Sequence, residues 1–143
     1  MPLLPEYIPS EEPQKLRVLV AEDDPDLSDL LCASLESNGY SVETVFSGDV
    51  ALRRLSGKKY AAAIMDERMP GLNGGMVLKQ CRVNSPPITT PMVIVSAYAT
   101  QKDKAQFVKD GASAFFAKPY EICDLLKKVR ELACDKNEIE VAK

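Results

Sequence analysis

The stretch "AAAIMDERMPG" (residues 61–71) runs through small and apolar residues, meets an aspartate at Asp66, and then turns through Met69, Pro70 and Gly71. Ala61 to Met65 suit a buried strand, because a short apolar run bounded by turn residues fits a sheet covered on both faces. A carboxylate is costly to bury without partners. Asp66 at the mouth of such a strand therefore has to meet compensating groups there, and the rest of the chain must supply them.

Outward from this stretch, short apolar runs alternate with segments of helical period. "LRVLVA" (16–21) reads as a strand, followed by a helix over "DPDLSDLLCASLESNG" with Leu27, Leu30, Leu31, Ala33, Ser34 and Leu35 at helical spacing. Asp24 is placed to cap that helix, Pro25 suits its first position and Gly39 its stop. "SVETV" (41–45) precedes a helix over "SGDVALRRLSG" with Ser47 as N-cap, and "AAAIMD" precedes a helix over "GGMVLKQCRV". "PMVIVSA" leads into "TQKDKAQFVKDG", and "SAFFAKP" into "EICDLLKKVRELAC". Five strand–helix units predict an α/β fold, a doubly wound five-stranded parallel sheet flanked by five helices. "NSPPITTP" (84–91) is a Pro-rich connector, and no internal repeat is present.

Composition limits the function classes. The 143 residues are 45% hydrophobic and 27% charged, which suits one domain with a proper core. With 18 basic and 21 acidic residues, the net charge of -3 lacks the basic excess that phosphate-backbone binding needs, so no direct nucleic-acid partner is expected. Cys32, Cys81, Cys123 and Cys134 have neither metal-site spacing nor the density of a disulfide scaffold, which predicts a reduced, cytoplasmic protein. The N-terminus has no signal-peptide pattern, and no apolar run approaches the roughly 20 residues of a membrane span.

In open α/β sheets, function gathers at the carboxyl ends of the strands. Those ends carry Glu22 and Asp23 on the first strand, Asp66 on the third, Ser96 on the fourth and Lys118 with Pro119 on the fifth. The second ends on Phe46 and Ser47 without an ionisable group. In the order 2-1-3-4-5 the second strand lies at an edge and the other four tips share one mouth. Clustered carboxylates repel one another and call for a cation; Mg²⁺, which takes oxygen ligands, fits Glu22, Asp23 and Asp66. With such an ion, one carboxylate can act as nucleophile toward a phosphoryl group, Ser96 can hydrogen-bond a phosphoryl oxygen and Lys118 can pair with another.

"VLVAEDD", "IMDERMPG-LNG", "VIVSA" and "FFAKP", in this order at these strand ends, resemble the receiver domains of bacterial response regulators in two-component signalling, over nearly the whole core. The resemblance implies a flavodoxin-like fold with a receiver domain over 15–134, a flexible N-terminal extension over 1–14 and a C-terminal tail over 135–143. It implies Asp66 as phosphoacceptor, Mg²⁺ held by Glu22, Asp23, Asp66 and the backbone carbonyl of Arg68, Ser96 as the switch hydroxyl, and Lys118 as the phosphoryl-pairing lysine with a cis bond to Pro119. Phe115 takes the aromatic switch position, expected to turn from an exposed to a buried rotamer. Glu22 stands where many members have Asp. Arg68 and Tyr98 flank the expected water approach and predict slow self-dephosphorylation.

The implied role is not that of a conventional enzyme. With no histidine in the sequence, the phosphoryl donor is expected outside, on a sensor histidine kinase or a histidine phosphotransfer protein. After the last predicted helix only "DKNEIEVAK" remains, so output is expected through a separate protein target. A dehalogenase-type phosphatase would need a second acid two residues after its nucleophile, where Arg68 stands. A flavodoxin-like binder would need a small, amide-rich loop where "AEDDPD" is acidic. The remaining alternative is a degenerate receiver acting as a phosphorylation-independent interaction module, although degeneration normally removes an acid or the lysine, and none is missing.

Overall fold

The computed structural model describes residues 15–97 and 100–141. Its elements alternate throughout: β1 (Arg17–Ala21), α1 (Pro25–Ser37), β2 (Ser41–Val45), α2 (Gly48–Gly57), β3 (Ala62–Asp66), α3 (Gly74–Val83), β4 (Met92–Ser96), α4 (Gln101–Lys109), β5 (Ala114–Ala117) and α5 (Ile122–Val141). All strand pairs are parallel, in the order β2-β1-β3-β4-β5 that the sequence predicts.

The inner strands β1, β3 and β4 are apolar on both sides because both sides are covered. Leu19, Ala63, Met65, Met92 and Ile94 pack with Ala51, Leu55, Val77, Leu78 and Phe107 beneath α2, α3 and α4. Their neighbours Val18, Val20, Ala62, Ile64, Val93 and Val95 pack with Leu31, Leu35, Leu125 and Val129 beneath α1 and α5. Alternation along each strand thus feeds two separate cores.

Helix punctuation follows the expected chemistry. Asp24 Oδ1 accepts from the amides of Asp26 and Leu27 at 3.0 and 3.4 Å, Pro25 occupies the first turn, and Gly39 follows α1 with φ +93°. Ser47 caps α2 through the Val50 amide, and Thr100 and Asp103 form a reciprocal capping box on α4. Leu30, counted in the apolar stripe of α1, is instead half exposed; the inward positions are Ser28, Leu31 and Leu35. α5 continues to Val141, past Cys134 where the sequence reading ended the domain and began a tail. The predicted extension over 1–14 lies outside the described residues.

At the pole away from the strand tips, Arg82 braces the Pro-rich connector. Its guanidinium donates to the carbonyls of Ile88, Thr90 and Gly111, joining α3, the 84–91 connector and the approach to β5. Among the described residues no helix is long and apolar enough to cross a membrane.

The loop from β3 to α3 is pressed against α2. The Gly48 amide donates to the Pro70 carbonyl at 3.2 Å, and a Cβ on Gly48 would lie 1.7 Å from the Leu72 carbonyl oxygen. Gly57, at the other end of α2, has open space where a Cβ would go. Gly57→Ala should therefore stabilise the protein by up to ~1 kcal/mol, whereas Gly48→Ala should destabilise it by at least ~1 kcal/mol. Thermal unfolding of the two variants measures this; a neutral Gly48→Ala would show that the loop is not held by that contact.

Candidate phosphoacceptor site

The sheet order brings the chemistry-bearing tips together. β1 and β3 are neighbours with Ala21 opposite Met65, so the next residue on each strand, Glu22 and Asp66, emerge level with one another. β4 and β5 follow on the other side, with Ser96 opposite Ala117 and Lys118 one step beyond. Glu22, Asp66 and Ser96 are each less than a tenth exposed, while Asp23 faces solvent.

Lys118 is the cation of this group. Its Nζ lies 2.8 Å from Asp66 Oδ2 and 3.4 Å from Glu22 Oε2. Burial works against its charge, but the hydrogen bond to Asp66 and the attraction of both carboxylates outweigh it and raise its pKa above the ordinary lysine value. The Lys118–Pro119 peptide bond is cis, in line with the expectation from sequence.

Asp66 has its other oxygen engaged as well: the Arg68 amide donates to Oδ1 at 3.1 Å. Glu22 accepts from the Asp24 amide at 3.2 Å, and its own amide donates to the Val45 carbonyl. Burial and the proximity of Asp66 push the Glu22 carboxyl up to about 7, against the pull of the Asp24 amide and Lys118. One carboxylate oxygen from each of Glu22, Asp23 and Asp66 falls within 4.8 Å of the others. An all-oxygen donor set with more negative than positive charge suits a hard divalent cation.

Asp23 and Arg68 open onto a cleft of about 570 Å³ whose wall is the Met69–Asn73 side of the β3–α3 loop. Phe115 stands on the opposite side of β5 from Phe116 and packs with the core under α2, α3 and α4. Its ring is partly buried, stacked on Phe107 of α4 at 5.7 Å between centroids, with Lys104 Nζ 6.0 Å from its centre. Phe115 therefore does not occupy the exposed rotamer expected from sequence; the stacking on Phe107 accounts for its partial burial. Tyr98, predicted to flank the water approach with Arg68, lies outside the described residues.

Sequence reasoning passed over Glu67. Its carboxylate accepts from the Gly75 amide at 2.9 Å, and its carbonyl accepts from the Gly74 amide at 3.1 Å. Burial raises its pKa, opposed by the Gly75 amide. The available signal was two consecutive glycines opening a helix, a poor choice for helix propensity that points to a close approach by something else.

Comparison with known proteins agrees with this architecture. Transcriptional regulatory protein TcrA of Mycobacterium tuberculosis is 30% identical over 118 residues, covering 82% of this chain and 46% of that protein. Transcriptional regulatory protein TctD of Salmonella typhimurium is 32% identical over 117 residues, covering 82% and 51%. The chain spans about half the length of the curated relatives it matches. Among solved structures, the receiver domain of the Francisella response regulator 1452 superposes with a TM-score of 0.80 at 30% identity, covering 85% of this chain and 99% of that one. The receiver domain of the Pseudomonas aeruginosa sensor histidine kinase PA1611, solved with a magnesium ion coordinated in its active site cleft, gives 0.74 at 28% identity, covering 83% and 98%. The family described as response regulator receiver domain matches residues 18–130, and the chain belongs to that family.

Proposed function

We propose that this receiver domain accepts a phosphoryl group on Asp66 from a phosphohistidine on a sensor kinase or phosphotransfer protein in the cytoplasm, and that the modified domain is read by a separate protein. The observation that carries this reading is the Lys118 ammonium 2.8 Å from Asp66, inside a pocket shared with the carboxylates of Glu22 and Asp23. A phosphorylation-independent role would leave this arrangement of buried charge without a use.

In the transfer, an Asp66 carboxylate oxygen forms the new O–P bond while the N–P bond of the donor breaks, its electron pair staying on the imidazole nitrogen. Mg²⁺ held by Glu22, Asp23, Asp66 and the Arg68 carbonyl would supply neutralisation of the phosphoryl oxygens. Lys118 exchanges its contact with Asp66 for one to a phosphoryl oxygen, and the Ser96 hydroxyl donates to another. Arg68, at the cleft edge, is placed to obstruct the line of approach for water, which favours a slowly hydrolysed acyl phosphate. The domain's chemistry is confined to its own modification, and its output is a change in surface.

Incubation with Mg²⁺ and acetyl phosphate should add one phosphoryl mass to the protein and none to Asp66→Asn, as read by intact-mass spectrometry. An Asp66→Asn protein that still gains the mass would place the acceptor elsewhere.

Glu22 gives the metal site a pH dependence. Its folded-state pKa, raised from 4.5 to about 7, means that its protonated form favours the metal-free fold; that contribution is complete below about 4.5 and lost as pH rises through about 7. A divalent cation competes with this proton. Mg²⁺ affinity should accordingly climb between about pH 6 and about pH 8, with proton release at the lower end. Calorimetric titration in buffers of different ionisation enthalpy measures both, and an affinity flat across that range would exclude Glu22 as a proton-coupled ligand.

A phosphoryl group carrying a charge of about -1.5 to -2 on Asp66 draws Ser96 inward, and the space released lets Phe115 turn further inward from its present stacking on Phe107. Moving such a population from 1:99 to 99:1 takes about 5.5 kcal/mol of preference for the modified form. Beryllofluoride with Mg²⁺ should shift amide and ring resonances from Asp66 through Ser96 to Phe115, Phe107 and α5. Shifts that stop at the carboxylates would mean that the domain binds the group without changing its α4–β5–α5 surface.

A further inference from the structure

Three amides at the start of α3 need acceptors, since the first turn of a helix offers none. Asn73 Oδ1 takes that of Met76 at 2.8 Å. The other two go to one residue outside the helix: the Gly74 amide to the Glu67 carbonyl at 3.1 Å and the Gly75 amide to Glu67 Oε2 at 2.9 Å. Glu67 is thus fastened to α3 by main chain and side chain together. On its other side its amide donates to the Val95 carbonyl of β4 at 2.8 Å.

The fastening depends on the two glycines. A Cβ on Gly74 would lie 2.8 Å from the Asp66 carbonyl oxygen, and one on Gly75 would lie 3.1 Å from Phe107 and 3.3 Å from Glu67 Oε2. Glu67 and Arg68 share a peptide unit. Its N–H is the one that donates to Asp66 Oδ1 at 3.1 Å.

We infer that Glu67 is a positioning residue for the phosphoacceptor: its carboxylate, by holding the Gly75 amide, fixes the Glu67–Arg68 peptide whose N–H orients the Asp66 carboxylate in the cation pocket. The role does not depend on Glu67's charge, because the geometry uses one carboxylate oxygen as an acceptor. Glutamine offers the same oxygen; alanine does not. The metal-directed half of the inference rests on the phosphoacceptor reading of Asp66, whereas the peptide-fixing half can be tested without any cation.

The experiment compares Glu67→Ala, Glu67→Gln and Val77→Ala with the parent. Val77 is a buried α3 residue away from the acid pocket, so its truncation reports what destabilisation alone does. In metal-free protein well below its melting temperature, amide exchange at Arg68 should quicken in Glu67→Ala and stay near the parent rate in Glu67→Gln and Val77→Ala. In Mg²⁺ titrations followed by amide shifts, Glu67→Ala should bind about tenfold more weakly and Glu67→Gln within about twofold of the parent, the scale on which groups supporting metal ligands act. Unchanged Arg68 exchange in Glu67→Ala would overturn the inference. So would equal effects of Ala and Gln, which would make the role one of charge, or an effect of Val77→Ala as large as that of Glu67→Ala, which would make it one of general stability. A parent protein that binds no Mg²⁺ would count against the phosphoacceptor reading, while the exchange arm would still decide whether Glu67 fixes the peptide.

Discussion

The ion pair between Lys118 and Asp66 is the interaction on which the site depends. It joins the ends of β5 and β3, which are not neighbours in the sheet, across the tip of β4. Lys118 can reach because β4 ends on a small residue, Ser96, whose carbonyl accepts the Lys118 amide at 2.9 Å. A single ammonium so placed also touches Glu22, and it lets two carboxylates sit largely out of water side by side. Without it, the tips of β1 and β3 would carry uncompensated charge. With it, an opening remains on the Asp23 side, where further positive charge is favourable.

Much of this was legible in the sequence because the signals were local. β2 and α3 fall on the predicted segments "SVETV" and "GGMVLKQCRV", since apolar runs and capping residues act within a few positions of themselves. Glu22, Asp66 and Lys118 could be found because each stands at the end of a predicted strand, and the structure brings them within contact. Long-range packing was less legible. Half exposure of Leu30 reflects which side of α1 meets the sheet, and the apolar pattern around it did not fix that. The resting position of Phe115 depends on Phe107, a partner on another element. Glu67 escaped notice because a polar residue just past a strand reads as solvent-facing unless its acceptor role toward Gly75 is known.

The two cores divide the work. Beneath α1 and α5, strand residues such as Ile64 and Val95 meet Leu125 and Val129, and no residue proposed to move lies among them. Beneath α2, α3 and α4 the packing includes the stacked rings of Phe107 and Phe115. Arg82 secures the far pole of this second core through three carbonyls.

Strand alternation has a further consequence at Asp66 and Glu67. Ala62 and Ile64 point into one core and Ala63 and Met65 into the other. Continuing that parity, Asp66 belongs with the first core and Glu67 with the second, where it meets Gly75 beside Phe107. A single step of the pleat thus takes the chain from Asp66 on the α1 and α5 side to Glu67 on the side of the Phe107–Phe115 stack, as each step of every inner strand does between its own neighbours.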